Sequence, residues 1–292
     1  MKNRGKMTNH KKGLIITSLG VLFVVPDSLF VRLIDSDPMI IAFWRGAVSG
    51  ALIFFALLIY GGFSVFKPVI KSGIPGSIYI ILIGSTTPVF VLAVAHTSVA
   101  NVVFIFASIP IFSIFFIYIF LKEAVGFATI FTSLIVIFGL AIIAYGSSSS
   151  DISSWKGDLL AVYVSVAYAG ALTAVRKVKE ISMVPAIPIA YIGTALIIGL
   201  FYFPFYEFGR HAALFLGHGL FIGVATWLLT LGPRYLTTPE VSLLILLESV
   251  LAPLLVWLVV GEFPGLIAIV GGFVVITALC AYNLLKLSND SL

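Results

Sequence analysis

Charge is scarce in this sequence. Only 10% of its 292 residues are charged, while 61% are hydrophobic, and the mean hydropathy is +1.18. A soluble domain carries about 25% charged and about 45–50% apolar residues, so a single water-exposed domain is excluded. Long polar stretches are lacking too. The longest, residues 1–12 and 147–158, leave no room for a soluble domain between apolar runs. Cysteine is limited to Cys280, which excludes an intrachain disulfide. The zinc motif HExxH, the nucleophile motif GxSxG and the phosphate-binding P-loop are all absent. With one Cys and scattered His, the chain is expected to be no enzyme, to hold no metal or cofactor and to use no ATP directly. The net charge of +5 comes from basic residues at segment ends, a pattern that does not suit nucleic acid.

What the sequence has is apolar runs. A membrane-spanning helix needs about 20 mostly apolar residues. Ten stretches qualify: 13–33, 38–60, 73–95, 99–121, 125–146, 157–176, 184–206, 211–233, 239–260 and 264–286. The breaks between them fall at turn residues or charges, such as Ser36-Asp37-Pro38, Gly61-Gly62 and Gly261-Glu262. The first run is too long for a signal-peptide core, so it is expected to stay as the first span. With the N-terminus in the cytoplasm, 13 of the 17 Lys and Arg residues lie on the cytoplasmic side. The remaining four are Arg32, Arg45, Lys156 and Arg210. The positive-inside rule then predicts ten spans with both termini cytoplasmic.

The chain also repeats itself. At a shift of 139, Ile83, Gly84, Thr87 and Leu92 fall on Ile222, Gly223, Thr226 and Leu231. Glu123 and Gly126 fall on Glu262 and Gly265. At a shift of 144, Gly13, Val31, Arg32 and Met39 fall on Gly157, Val175, Arg176 and Met183. Each half holds five spans, and five is odd, so the second half enters the membrane from the opposite side. Inverted repeats of this kind are a recurrent plan for secondary transporters, with the substrate site between the halves. The predicted fold is therefore all-α, with ten transmembrane helices as two inverted five-helix repeats around a central cavity. The expected layout is a basic tail (1–12), a first repeat (13–146), an outer linker (147–156), a second repeat (157–286) and a tail (287–292).

Three stretches carry a family resemblance. They are "DPMIIAFWRG" (37–46), "HTSVANVVFIFASIPIFSIFFIYIFLKE" (96–123) and "LTTPEVSLLILLESVLAPLLVWLVVGE" (236–262). The chain resembles EamA-type carriers of the drug/metabolite transporter superfamily over nearly its whole length. It departs from their pattern at Glu248-Ser249, where Glu-Pro is frequent, and at Lys122, where Gly usually precedes Glu. The resemblance implies a multi-pass carrier of the cell (inner) membrane that exports or exchanges small metabolites such as amino acids; the alternatives are an intramembrane enzyme or a helical scaffold without transport.

Charged and polar residues inside the spans are the candidate site. Asp27 and Arg45 lie nine residues on either side of the turn at Ser36. Antiparallel helices put both at equal depth, ~10 Å or more below the surface. An isolated charge there costs on the order of 2.5–3.5 kcal/mol, which a salt bridge would lower. Pro26 removes the helical donor to the Leu22 carbonyl, suiting a span that bends at a cavity. The repeat partners are Ala171 and Ile189, so the architecture does not require the pair. It serves either a substrate or proton pathway, or a clamp between the first two spans. Glu248 is the second deep carboxylate. Out of water it can carry a proton, or it can simply bond a nearby carbonyl.

Thr87 and Thr226 are repeat partners that either meet a ligand or bond their own helices. His218 is a third proton candidate. Tyr168 and Trp227 either stack on a substrate or pack the core. Glu240 and Asn101 are expected at helix starts, and Gly46-x-x-x-Gly50 and Gly219-x-x-x-Gly223 are expected to allow close helix packing. The fifth and tenth spans carry no charge before Lys286 and are expected to be supports or a homodimer contact.

Overall fold

The structure is a computed structural model that describes residues 9–97, 99–106, 108–147, 154–261 and 266–289. Outside it lie Lys2, Arg4 and Lys6 of the basic tail, residues 148–153 of the expected linker, Glu262, Gly265 and residues 290–292. The side chains of Asn101 and Lys286 also lie outside the description.

Among the described residues the chain is helical, with no strand. The α-helices are α1 (Asn9–Val24), α2 (Asp27–Leu33), α3 (Pro38–Gly61), α4 (Lys67–Lys71), α5 (Gly73–His96), α6 (Val99–Phe106) and α7 (Ile109–Phe116). They continue as α8 (Phe127–Ser147), α9 (Trp155–Lys177), α10 (Ala186–Phe201), α11 (Phe208–Leu231), α12 (Thr238–Ile245), α13 (Leu247–Val260) and α14 (Leu266–Asn289). Among the described residues, six helical stretches are long and apolar enough to cross a membrane: Asn9–Leu33, Pro38–Lys71, Gly73–His96, Trp155–Lys177, Pro204–Arg234 and Thr238–Val259. Four shorter apolar helices, Ile109–Leu121, Phe127–Gly139, Ala186–Phe201 and Ile269–Tyr282, fall within the remaining expected spans. Helices satisfy their own backbone groups, which hydrocarbon demands.

Three of the expected spans are broken helices. The first breaks between Val24 and Asp27, at Pro26. The fourth breaks ahead of Ile109, with Pro110 in the first turn of α7, and ends in a π-helical turn over Ile117–Leu121. The ninth breaks at Leu246. The seventh is shorter than the sequence predicts. It stops at Phe201 rather than near residue 206, because Tyr202 is extended and Pro204 opens a separate turn.

Helix packing alternates between the two halves of the chain. The helix α3 packs on both α10 and α11, α5 on α9 and α10, α1 on α11, and α8 on α14. Glycines mark the closest approaches. A Cβ at Gly13 would meet Tyr235 and Leu236 at 2.7–2.8 Å, and one at Gly157 would meet Thr97 at 2.7 Å and the backbone of His96 at 2.9 Å. A Cβ at Gly50 would lie 2.7 Å from Ile192, and one at Gly219 would run into Val48. Both GxxxG stretches are thus packing surfaces, as their spacing predicts.

Glu240 closes a capping box with Thr237 at the start of α12, which is the helix-start role expected of it. Two residues that end broken spans share a left-handed backbone: Gly261 at φ 82° and Lys122 at φ 53°. They are separated by the repeat shift of 139. Glycine adopts this conformation without strain, whereas an L-residue with a side chain gives up about 1–2 kcal/mol there.

Candidate functional site

Pro26 sets the site. Lacking an N–H, it ends the helical run of α1, and α2 restarts with Asp27 in its first turn. Asp27 is 2% exposed. From α3, Arg45 grips it with two donors: Nε reaches Oδ1 at 3.0 Å and Nη2 reaches Oδ2 at 2.6 Å. This fork is the strongest geometry for an arginine–carboxylate pair. The third arm, Nη1, donates to Thr87 Oγ1 on α5 at 3.2 Å. The guanidinium also lies over the Phe90 ring, 5.5 Å from its centre, a cation–π arrangement.

The second half of the chain adds a member. Nε2 of His218, on α11, lies 2.6 Å from Asp27 Oδ1. His218 is fully buried, and its ring stacks on Phe30 of α2 at 5.2 Å. Among the described residues, none hydrogen-bonds its Nδ1. Ser49 Oγ sits 2.6 Å from the Arg45 carbonyl and 2.9 Å from that of Gly219, tying α3 to α11 beside the cluster.

A small cavity opens next to this cluster. Its polar lining is Asp27, Arg45, Thr86, Tyr168, Tyr191, Thr226 and Glu248. These come from both halves of the chain. Tyr191 and Thr226 share a hydrogen bond of 2.8 Å across α10 and α11. Glu248, at the start of α13, faces the cavity and has no hydrogen-bond or ion-pair partner among the described residues. The arrangement offers a cation, two carboxylates, hydroxyls and aromatic rings around one small volume. Such a volume can hold a small polar solute and its proton exchange. The described residues contain no group of three or more His, Cys, Asp or Glu side chains placed to hold a metal ion.

Of the eight residues singled out from the sequence, Asp27, Arg45, Tyr168, Thr226 and Glu248 line the cavity. The Asp27–Arg45 salt bridge forms as the depth argument predicts. Three lie elsewhere. Thr87 is turned to Arg45 rather than to the cavity or its own helix. His218 stands behind Asp27. Trp227 packs in the apolar core with Tyr79 and Ile83. Successive helix residues point about 100° apart, so Thr226 facing the cavity turns its neighbour away. Two lining residues were missed. Tyr191 corresponds to Ala47 in the repeat, so no symmetry marks it. Thr86 lies one position from the matched Thr87, and its hydroxyl donates to the Ile83 carbonyl at 2.7 Å.

Residues 11–145 match the model of the EamA-like transporter family. No curated protein matches the chain. Twenty-seven chains of solved structures do. One of them, a crystal structure of a protein 16% identical to this one, superposes with a TM-score of 0.78 over 94% of this chain and 98% of its own. That likeness shows a shared fold across both halves, beyond the segment matched by the family model. Residues 11–145 are thus similar to the EamA-like transporter family, and the long apolar helices fit a multi-pass membrane protein.

Proposed function

We propose that the chain is a gradient-driven carrier of small metabolites, amino acids or close relatives, that works by alternating access. The observation that carries this reading is the cavity lined from both halves, with Arg45, Asp27 and Glu248 all in its wall. Arg45 can meet a carboxylate, and the unpartnered Glu248 can meet an ammonium group. One small site with both signs of charge suits a zwitterion.

Counting the four shorter apolar helices with the six long ones gives ten spans. Two sets of contacts support reading them as two repeats. Under the shifts of 144 and 139, Gly13 against Tyr235-Leu236 becomes Gly157 against His96-Thr97 with the halves exchanged. Likewise, α1 on α11 becomes α9 on α5, and α3 on α11 becomes α10 on α5. Two equivalent halves offer two arrangements of similar energy, open to either side. The distribution of Lys and Arg supports cytoplasmic termini in the cell membrane. The direction we infer is export or exchange. The outer faces of α8 and α14 present Phe131, Phe138 and Phe273 to the exterior, and we assign them as the contact for a second copy. Cysteine cross-linking at Phe131 tests that assignment.

Purified protein in liposomes, loaded with a panel of labelled amino acids and small metabolites, tests the carrier. Counterflow of at least one panel member is expected. Equal release from empty and protein-containing liposomes, for every member and under pH gradients of both signs, would speak for a helical scaffold without transport.

A further inference from the structure

A second cavity lies outside the site. It is a groove between α5, the end of the α7 span and α9. Leu82, Phe116 and Gly170 line it, and its lining is almost wholly apolar. It is open on its side: Ile74 and Phe120 are exposed at 76% and 60%. From Tyr163 to Lys177 it follows α9 for 14 residues, about 21 Å. One leaflet of hydrocarbon is about half of 30 Å, so an acyl chain fits along it.

One end of the groove is basic. Lys177 lines it directly. The other two walls end there as well, and each carries a lysine close by. Lys71 lies three residues before Ile74, and Lys122 two residues after Phe120. All three lysines have no ion-pair partner among the described residues. The carboxylate beside them, Glu123, is already held by Arg176 at 3.4 Å. Glu180, three residues after Lys177, is exposed.

Lys122 is the informative one. It takes a left-handed backbone that its repeat counterpart fills with glycine, Gly261. A strained residue held against its own conformational preference points to a use for its side chain. We propose that this groove is a binding site for an anionic phospholipid. One acyl chain lies along the groove, and the phosphate is held by Lys71, Lys122 and Lys177. The charge of the three lysines selects an anionic headgroup over a zwitterionic one.

The test is native mass spectrometry of the purified full-length protein with equimolar phosphatidylglycerol and phosphatidylcholine. Phosphatidylglycerol should be retained preferentially. Each of Lys71→Gln, Lys122→Gly and Lys177→Gln should lower that preference on the order of fivefold. Lys122→Gly also guards against misfolding, because glycine relieves the strain. It should unfold at a higher temperature in neutral detergent while its stabilisation by phosphatidylglycerol shrinks. Val166→Trp, which fills the groove, should reduce retention of both lipids. Equal retention of the two lipids by the wild type, or unchanged selectivity in the triple lysine variant, would overturn the proposal.

Discussion

His218 Nε2 lies 2.6 Å from Asp27 Oδ1. The two residues are 191 positions apart and sit in different halves of the chain. The contact converts the Asp27–Arg45 pair from a clamp within one hairpin into a junction between α2, α3 and α11. A carboxylate held by three donors at the edge of a cavity can respond to a ligand that competes for any of them.

Asp27→Asn leaves Arg45 buried without a counter-charge. Breaking a buried pair from one side costs about 3–5 kcal/mol, so unfolding in detergent should move sharply to lower temperature. The double replacement Asp27→Leu with Arg45→Leu removes both charges and should recover most of that loss. Transport should stay absent in the double variant. Recovery of both stability and transport would make the pair a clamp.

His218→Ala removes a hydrogen bond to a charged group, worth about 1.5–3 kcal/mol, and the ring stacked on Phe30. His218→Gln keeps a donor within reach of Asp27 and should be milder. Thermal unfolding of the two variants side by side checks the order.

The helix crossing beside the site depends on Gly219. Any Cβ there runs into Val48, and overpacking of this kind costs about 1–3 kcal/mol. Gly219→Ala should therefore destabilise the protein. Gly193→Ala, where a Cβ meets nothing within 4 Å, should leave stability unchanged. Comparing their melting temperatures checks the role of close packing at this crossing.

How much of this was legible in the sequence varied by residue. The salt bridge could be read because a hairpin turn at Ser36 fixes the depths of Asp27 and Arg45 together. The break at Pro26 could be read because proline lacks a donor. The third partner, His218, could not be paired with Asp27, since nothing in one sequence says which face of α11 meets α2. Tyr191 went unseen for a similar reason: one tyrosine in an apolar helix looks the same facing a cavity or the core. The early end of α10 was hidden because Tyr202, Phe203 and Phe205 continue the apolar run past the point where Pro204 ends the helix. Lys122 was visible as a departure from the family pattern, but its left-handed backbone was not.

The central claim is that the cavity's charged groups carry transport, and Glu248 tests it most directly. It faces the cavity with no hydrogen-bond partner among the described residues, so Glu248→Gln should fold with little change in melting temperature. The measurement is the initial rate of substrate flux into liposomes, wild type beside Glu248→Gln, at matched protein content. A loss of roughly tenfold or more is expected, because the lost interaction acts on the transported solute or its proton. Unchanged flux through a normally folded Glu248→Gln variant would contradict the account.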